Sequence, residues 1–113
     1  MLIVDDHPAF RAAASALLGA AGFDVVGEAF DGASALEAVS ELRPEIVLLD
    51  VQLPDVDGFA VAEQLSQAGP RPAIVLTSSR SIASLRWRLD SNRAWSFIPK
   101  SDLSGEALAA VVG

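Results

Sequence analysis

Short apolar runs alternate along this chain with longer stretches of helical periodicity. Strands are expected at Leu2–Val4, Asp24–Ala29, Ile46–Leu49, Ala73–Thr77 and Trp95–Ile98. The runs beginning at residues 2, 46 and 73 are apolar throughout instead of alternating, as in strands covered on both faces of a parallel sheet. A first helix starts at Pro8, which tolerates an initial helical position. It carries Phe10, Ala14, Leu17 and Leu18 on one stripe and ends at Gly19. A second follows the Asp31-Gly32 turn, buries Leu36, Val39 and Leu42, and is stopped by Pro44. A third follows Gly58 and buries Phe59, Ala62 and Leu65 ahead of Gly69-Pro70. A fourth covers about Ile82 to Leu89, and a fifth runs from Ser104, a suitable N-cap, to the C-terminus. Five strand–helix repeats predict right-handed crossovers and a doubly wound α/β sheet. The order of its strands stays open.

With 113 residues, 51% of them hydrophobic, the chain suits one domain with a real core. No linker, repeat or low-complexity tract interrupts it. It contains no cysteine, which removes disulfides and thiolate metal sites and makes an intracellular setting the default. No apolar run approaches membrane-spanning length and no secretory leader is visible, so a cytoplasmic protein without membrane contact is expected. The net charge of −7 argues against direct nucleic-acid binding. That charge is uneven. Residues 1–79 hold 3 basic and 12 acidic side chains, whereas residues 80–113 hold 5 basic and 3 acidic. The basic group is Arg80, Arg86, Arg88, Arg93 and Lys100, read either as a solvated helix face or as a docking surface.

Ligand groups collect beyond the carboxyl ends of strands in such sheets. Here those ends carry Asp5 and Asp6, Asp50, Thr77 and Ser78, and Lys100. Two carboxylates ~5 Å apart at an effective dielectric of ~20 repel by about 3 kcal/mol. Raised pKa values or a divalent cation would relieve this, and an all-oxygen donor set favours Mg²⁺ or Mn²⁺ over zinc. Lys100 supplies a point charge for phosphate and Thr77 a hydroxyl. Asp50 can then act as a phosphoryl acceptor, with positioning and charge neutralisation as the main requirements. Each residue also has an ordinary reading: an N-cap for the Asp5-Asp6 pair, a turn for Asp50, a surface position for Lys100. Their shared sheet edge favours the chemical one. Asp6-His7-Pro8 reads as a loop and helix start, with His7 not a phosphohistidine.

The stretches LIVDDHPAFR, VVGEAFDG, IVLLDVQLPDVDG, IVLTSS and FIPKSDLS together resemble the receiver domain of two-component response regulators, nearest the NarL/FixJ type with LuxR-like output. The resemblance spans the chain and implies a five-stranded flavodoxin-like (βα)5 fold, here filling residues 1–113 as one receiver domain with no output domain. It implies phosphorylation of Asp50 by a sensor histidine kinase or a small acyl phosphate. Mg²⁺ would be held by Asp5, Asp6, Asp50 and the backbone carbonyl of Gln52. Lys100 would contact the phosphoryl group, Thr77 and Phe97 would form the switch, and Gln52 and Ser79 would tune hydrolysis. The responding surface would be the fourth helix, fifth strand and fifth helix, offering a site for a homodimer or an output-domain partner. The chain departs from the pattern in two places. Pro99 precedes Lys100 instead of following it, and RSIASLRWRLDSNRAWSF, with Trp87 and Trp95, replaces the usual acidic fourth helix.

Two other function classes use the same residues. One is a Mg²⁺-dependent phosphotransferase or phosphatase, for which Asp55-Val56-Asp57 offers a D-x-D pair. That pair, between Pro54 and Gly58, suits a turn and a helix cap better. The other is a degenerate receiver serving only as an interaction module. The filled acidic positions speak for a phosphoacceptor and not for an enzyme acting on external substrates.

Overall fold

In the computed structural model, which describes residues 1–67, 72–79 and 95–112, five strands form one sheet. They are β1 (Leu2–Val4), β2 (Gly27–Ala29), β3 (Ile46–Asp50), β4 (Ala73–Ser78) and β5 (Trp95–Pro99). All pairs are parallel and the order is β2-β1-β3-β4-β5. Helices α1 (Pro8–Ala20), α2 (Gly32–Leu42), α3 (Gly58–Ser66) and α4 (Gly105–Val112) cover both faces. The doubly wound sheet matches the sequence expectation.

Alternation along each strand divides the core in two. Leu2, Val4, Val47, Leu49, Ile74 and Leu76 pack with α2 and α3 through Ala35, Phe59, Val61, Ala62 and Leu65. Ile3, Leu48, Val75 and Ile98 pack on the other face with Ala14 and Leu18 of α1 and Leu108 of α4. Strands buried on both sides explain why their sequences carry no polar alternation.

Several boundaries move. β2 begins at Gly27, not Asp24, because its ladder with β1 starts where Leu2 faces Gly27. Upstream the Val26 amide reaches Met1 O (2.9 Å) and the Met1 ammonium donates to Asp24 O (2.6 Å). α1 continues through Gly19 to Ala20. Leu17 and Leu42, placed on buried stripes from sequence, are both 45% exposed. Leu17 lies about 100° around the helix from its fully buried neighbour Leu18. Leu42 is the last residue of α2, followed by Arg43 in the left-handed conformation (φ 47°) that ends the helix. Leu36 and Val39 are half-buried. On α3 the expected Phe59, Ala62 and Leu65 are buried.

Trp95 lies on the α2–α3 side. Its indole N–H donates to Ser66 Oγ at 3.0 Å and its ring is 6.0 Å from that of Phe59. Ser104 Oγ accepts the Ala107 amide at 3.0 Å, so the expected N-cap of the last helix is present. The expected fourth helix, about Ile82 to Leu89, lies outside the described residues, as do Arg80 and Arg93 of the basic group and Gly69-Pro70. Among the described residues no helix is long and apolar enough to cross a membrane.

Candidate functional site

Register brings the site together. Val4 faces Leu49 across β1–β3, so one step further Asp5 comes beside Asp50. Asp50 faces Thr77, and Thr77 faces Ile98. Counting by twos from Ile3, Leu48, Val75 and Ile98 gives Asp5, Asp50, Thr77 and Lys100. Period-two alternation thus directs all four toward the α1–α4 side of the sheet's carboxyl edge. Asp5 and Thr77 are fully buried and Asp50 nearly so.

Lys100 opens a short 3-10 turn, Lys100–Asp102, directly after Pro99, the last residue of β5. Its Nζ lies 2.6 Å from Asp5 Oδ2 and 3.1 Å from Asp50 Oδ2, and 4.4 Å from the centre of the Phe10 ring on α1. The unusual Pro99-Lys100 order therefore still delivers the ammonium to both carboxylates. Asp5 Oδ1 accepts the His7 amide at 2.8 Å, and Asp50 Oδ1 accepts the Gln52 amide at 2.9 Å. Both are the local bond of an aspartate to the amide two residues on, which pins the loop leaving each strand. Arg11 Nη1 donates to the Asp5 carbonyl (2.6 Å) while its Nε pairs with Glu28 Oε1 (3.2 Å), tying α1 and β2 to the acidic loop.

One ammonium cannot neutralise two buried carboxylates, and the pair divides accordingly. Burial pushes Asp5 up, but Lys100, the His7 amide and the His7 ring together hold it below the ordinary carboxylate value. Burial dominates at Asp50 and, with the Asp5 charge, raises it despite the Gln52 amide and Lys100. Burial also opposes the Lys100 charge, yet the two carboxylates hold that ammonium above its usual value. With Asp6, the cluster sums to −2 when every carboxylate is ionised. One ligand atom each from Asp5, Asp6, His7 and Asp50 fall within 4.8 Å of one another. That charge and oxygen-rich donor set fit a hard divalent cation. The Thr77 hydroxyl, beside Asp50 in the sheet, is buried and has no hydrogen-bond partner among the described residues.

His7 was read from sequence as a loop and helix start, and it does occupy the N-cap position of α1. Its ring nevertheless belongs to the cluster, with Nδ1 3.1 Å from Asp5 Oδ1 and 3.0 Å from Asp6 Oδ1. Its place two residues after Asp5 was the available signal. Gln52 and Ser79 are exposed next to the edge. Phe97 is half-buried, faces Leu76 in register and packs with the α2–α3 cluster, so it and Thr77 lie on opposite faces of the sheet. Asp55 and Asp57 both cap helices, as their setting suggested. Asp57 accepts the Phe59 amide of α3 (2.8 Å), and Asp55 accepts Gly32 and Ala33 of α2.

The Asp50 shift carries a sign that can be measured. A carboxyl whose folded pKa is raised contributes stability fully present below its unfolded value, near 3.8, and lost as pH rises through the folded value. In EDTA, Asp50→Asn should therefore unfold at a higher temperature than wild type at neutral pH, with the gap closing as pH falls toward 4. Thermal melts across that pH range test this, and a variant less stable than wild type at pH 7 would contradict it.

Residues 1–112 match the response regulator receiver domain. This chain belongs to that family. The receiver is 31% identical to the signal receiver domain of NarL from Mycobacterium tuberculosis, with a TM-score of 0.81 over 98% of this chain and 90% of that one. A LuxR-family response regulator from Aurantimonas gives 26% identity and a TM-score of 0.84 over 97% of this receiver and 79% of that chain. The regulator BvgA of Bordetella pertussis is 35% identical over 97% of this receiver and 53% of its own length. A protein-glutamate methylesterase/protein-glutamine glutaminase of Alkalilimnicola ehrlichii is 34% identical over 93% of this receiver and 28% of its own length. The receiver thus spans about half or less of these two relatives. Its likeness to NarL and LuxR-type regulators agrees with the sequence motifs, and two-component signalling is the function of this family of domains.

Proposed function

We propose that this receiver takes a phosphoryl group onto Asp50 from a phosphohistidine of a sensor histidine kinase, or from a small acyl phosphate. The observation that carries the reading is the convergence of Asp5, Asp50 and Lys100 at one sheet edge, with the ammonium 2.6 and 3.1 Å from the two carboxylates. An Asp50 carboxylate oxygen attacks phosphorus. The new O–P bond forms as the P–N bond of the donor breaks, and the electron pair leaves with the imidazole nitrogen. Lys100 is placed to balance charge on the arriving phosphoryl oxygens, and the Gln52 amide orients the nucleophile. Thr77 offers the buried hydroxyl as a donor. Asp5, Asp6 and Asp50, with the Gln52 backbone carbonyl, would hold Mg²⁺ or Mn²⁺. When bound, that ion would supply charge neutralisation for the phosphoryl transfer.

Phosphorylation adds about two negative charges and strong acceptor oxygens at the edge. In this reading Thr77 and Phe97 pass the change to the fifth strand and its flanking helices, where an output segment, a partner or a second copy responds. Gln52 and Ser79, exposed beside the site, tune loss of the phosphoryl group. The domain acts in the cytoplasm as an acceptor and not on external substrates.

The test is intact-mass analysis after incubation with acetyl phosphate and Mg²⁺. Wild type should gain one phosphoryl group, removed by hydroxylamine as an acyl phosphate. Asp50→Asn should gain none. A hydroxylamine-sensitive adduct on Asp50→Asn would overturn the assignment.

A further inference from the structure

The capping box of α2 is complete within its own segment, yet a carboxylate from another loop also sits on the helix start. Asp31 accepts the Ser34 amide at 2.8 Å, and Ser34 Oγ accepts the Asp31 amide in return at 3.2 Å. That leaves the amides of Gly32 and Ala33, two of the donors a helix start cannot satisfy internally. Asp55, on the loop between β3 and α3, takes both: Oδ1 at 2.8 Å from Gly32 N and Oδ2 at 3.1 Å from Ala33 N. The amides, first of all that of Gly32, hold the Asp55 carboxyl below the usual carboxylate value although it is exposed. Gly32 permits the approach, since a Cβ there would fall 2.3 Å from Val56 Cγ2.

The same loop carries Gln52, whose amide lies on Asp50. Its base is secured by the Gly58 amide on Val51 O (2.9 Å) and by the Gln52–Asp57 bridge. Val56 packs against Gly32 at the same point, and Asp55 supplies the hydrogen bonds that join the loop's tip to α2. We propose that Asp55 is a positioning residue: its two-amide grip on α2 clamps the β3–α3 loop and keeps the Gln52 amide on Asp50. The inference rests on the phosphoacceptor reading for its consequence in metal binding, and on geometry alone for its consequence in loop order.

Hydrogen exchange at the Gln52 amide, measured by NMR on the metal-free protein, reads the clamp directly. Asp55→Ala should speed that exchange about tenfold. Asp31→Ala removes the helix's other cap without touching the loop and should change it by less than about twofold. Asp55→Asn keeps one acceptor oxygen and should fall between, which preserves the comparison should the alanine variant fold poorly. Mg²⁺ titration followed by amide shifts gives the second readout. Asp55→Ala should weaken binding about threefold to tenfold, below the range for a direct neighbour of a ligand, whereas Asp31→Ala should not. Equal acceleration of Gln52 exchange in Asp31→Ala and Asp55→Ala would reduce Asp55 to a helix cap and overturn the proposal. Unchanged exchange in both Asp55 variants would overturn it as well. Should wild type bind no Mg²⁺, the phosphoacceptor reading would fall while the exchange comparison still decides the clamp.

Discussion

Lys100→Met should cost about 3–5 kcal/mol of folding stability in EDTA at neutral pH, much of it restored by millimolar Mg²⁺. Lys100 is 15% exposed and pairs with Asp5 and Asp50, themselves almost wholly buried. Methionine keeps most of the stem's volume but leaves two carboxylates facing each other without a counter-charge. They can escape only by taking up a proton, so the loss should shrink as pH falls toward the carboxylate range and grow as pH rises. A divalent ion offers the other escape, which makes the Mg²⁺ dependence diagnostic. Urea unfolding of both proteins, with EDTA and with Mg²⁺, measures it. A deficit of the same size in both conditions would show that the cluster does not hold the ion.

Gly58→Ala should be nearly as damaging through a different cause. A Cβ at Gly58 would lie 2.2 Å from the Asp50 carbonyl oxygen, 2.6 Å from Val51 Cα and 3.0 Å from Asp50 C. All three are backbone atoms at the end of β3, so no side chain can rotate away. Relief requires moving α3 or the strand end that carries Asp50. The expected cost is about 3 kcal/mol, at the upper end for overpacking, together with weakened Mg²⁺ binding. Gly19→Ala provides the contrast. Among the described residues nothing lies within 4 Å of its Cβ position in α1, and alanine there should stabilise by about 0.5–1 kcal/mol. Chemical denaturation of the two variants separates them, and a Gly58→Ala protein as stable as wild type would refute the packing argument.

The acidic edge was legible because apolar runs covered on both faces end abruptly in Asp5, Asp50, Thr77 and Lys100, and parallel strands must share that edge. The α3 face was legible for a related reason, since Phe59, Ala62 and Leu65 recur at helical spacing. Leu17 and Leu42 were misplaced because an apolar residue near a helix end satisfies the period while lying at the rim of the core, where it stays partly exposed. Strand order, with β2 outermost, depends on contacts between segments far apart in the chain, which one-dimensional periodicity does not encode. Asp55 shows the same limit. Its turn setting announced a cap, but the helix it caps belongs to an earlier part of the chain. His7 was hidden by the two aspartates before it, Asp5 and Asp6, whose charges drew the chemical reading away from the imidazole.

The parity that unites Ile3 with Asp5, Leu48 with Asp50, and Val75 with Thr77 limits how this chain can drift. One residue inserted between Leu48 and Asp50 would swing the carboxylate into the layer of Phe59 and Val61. Two would restore the side but carry it ~7 Å outward, beyond the lysine. Loops can lengthen at little cost, whereas the spacers between greasy anchor and reactive tip are frozen at their present length.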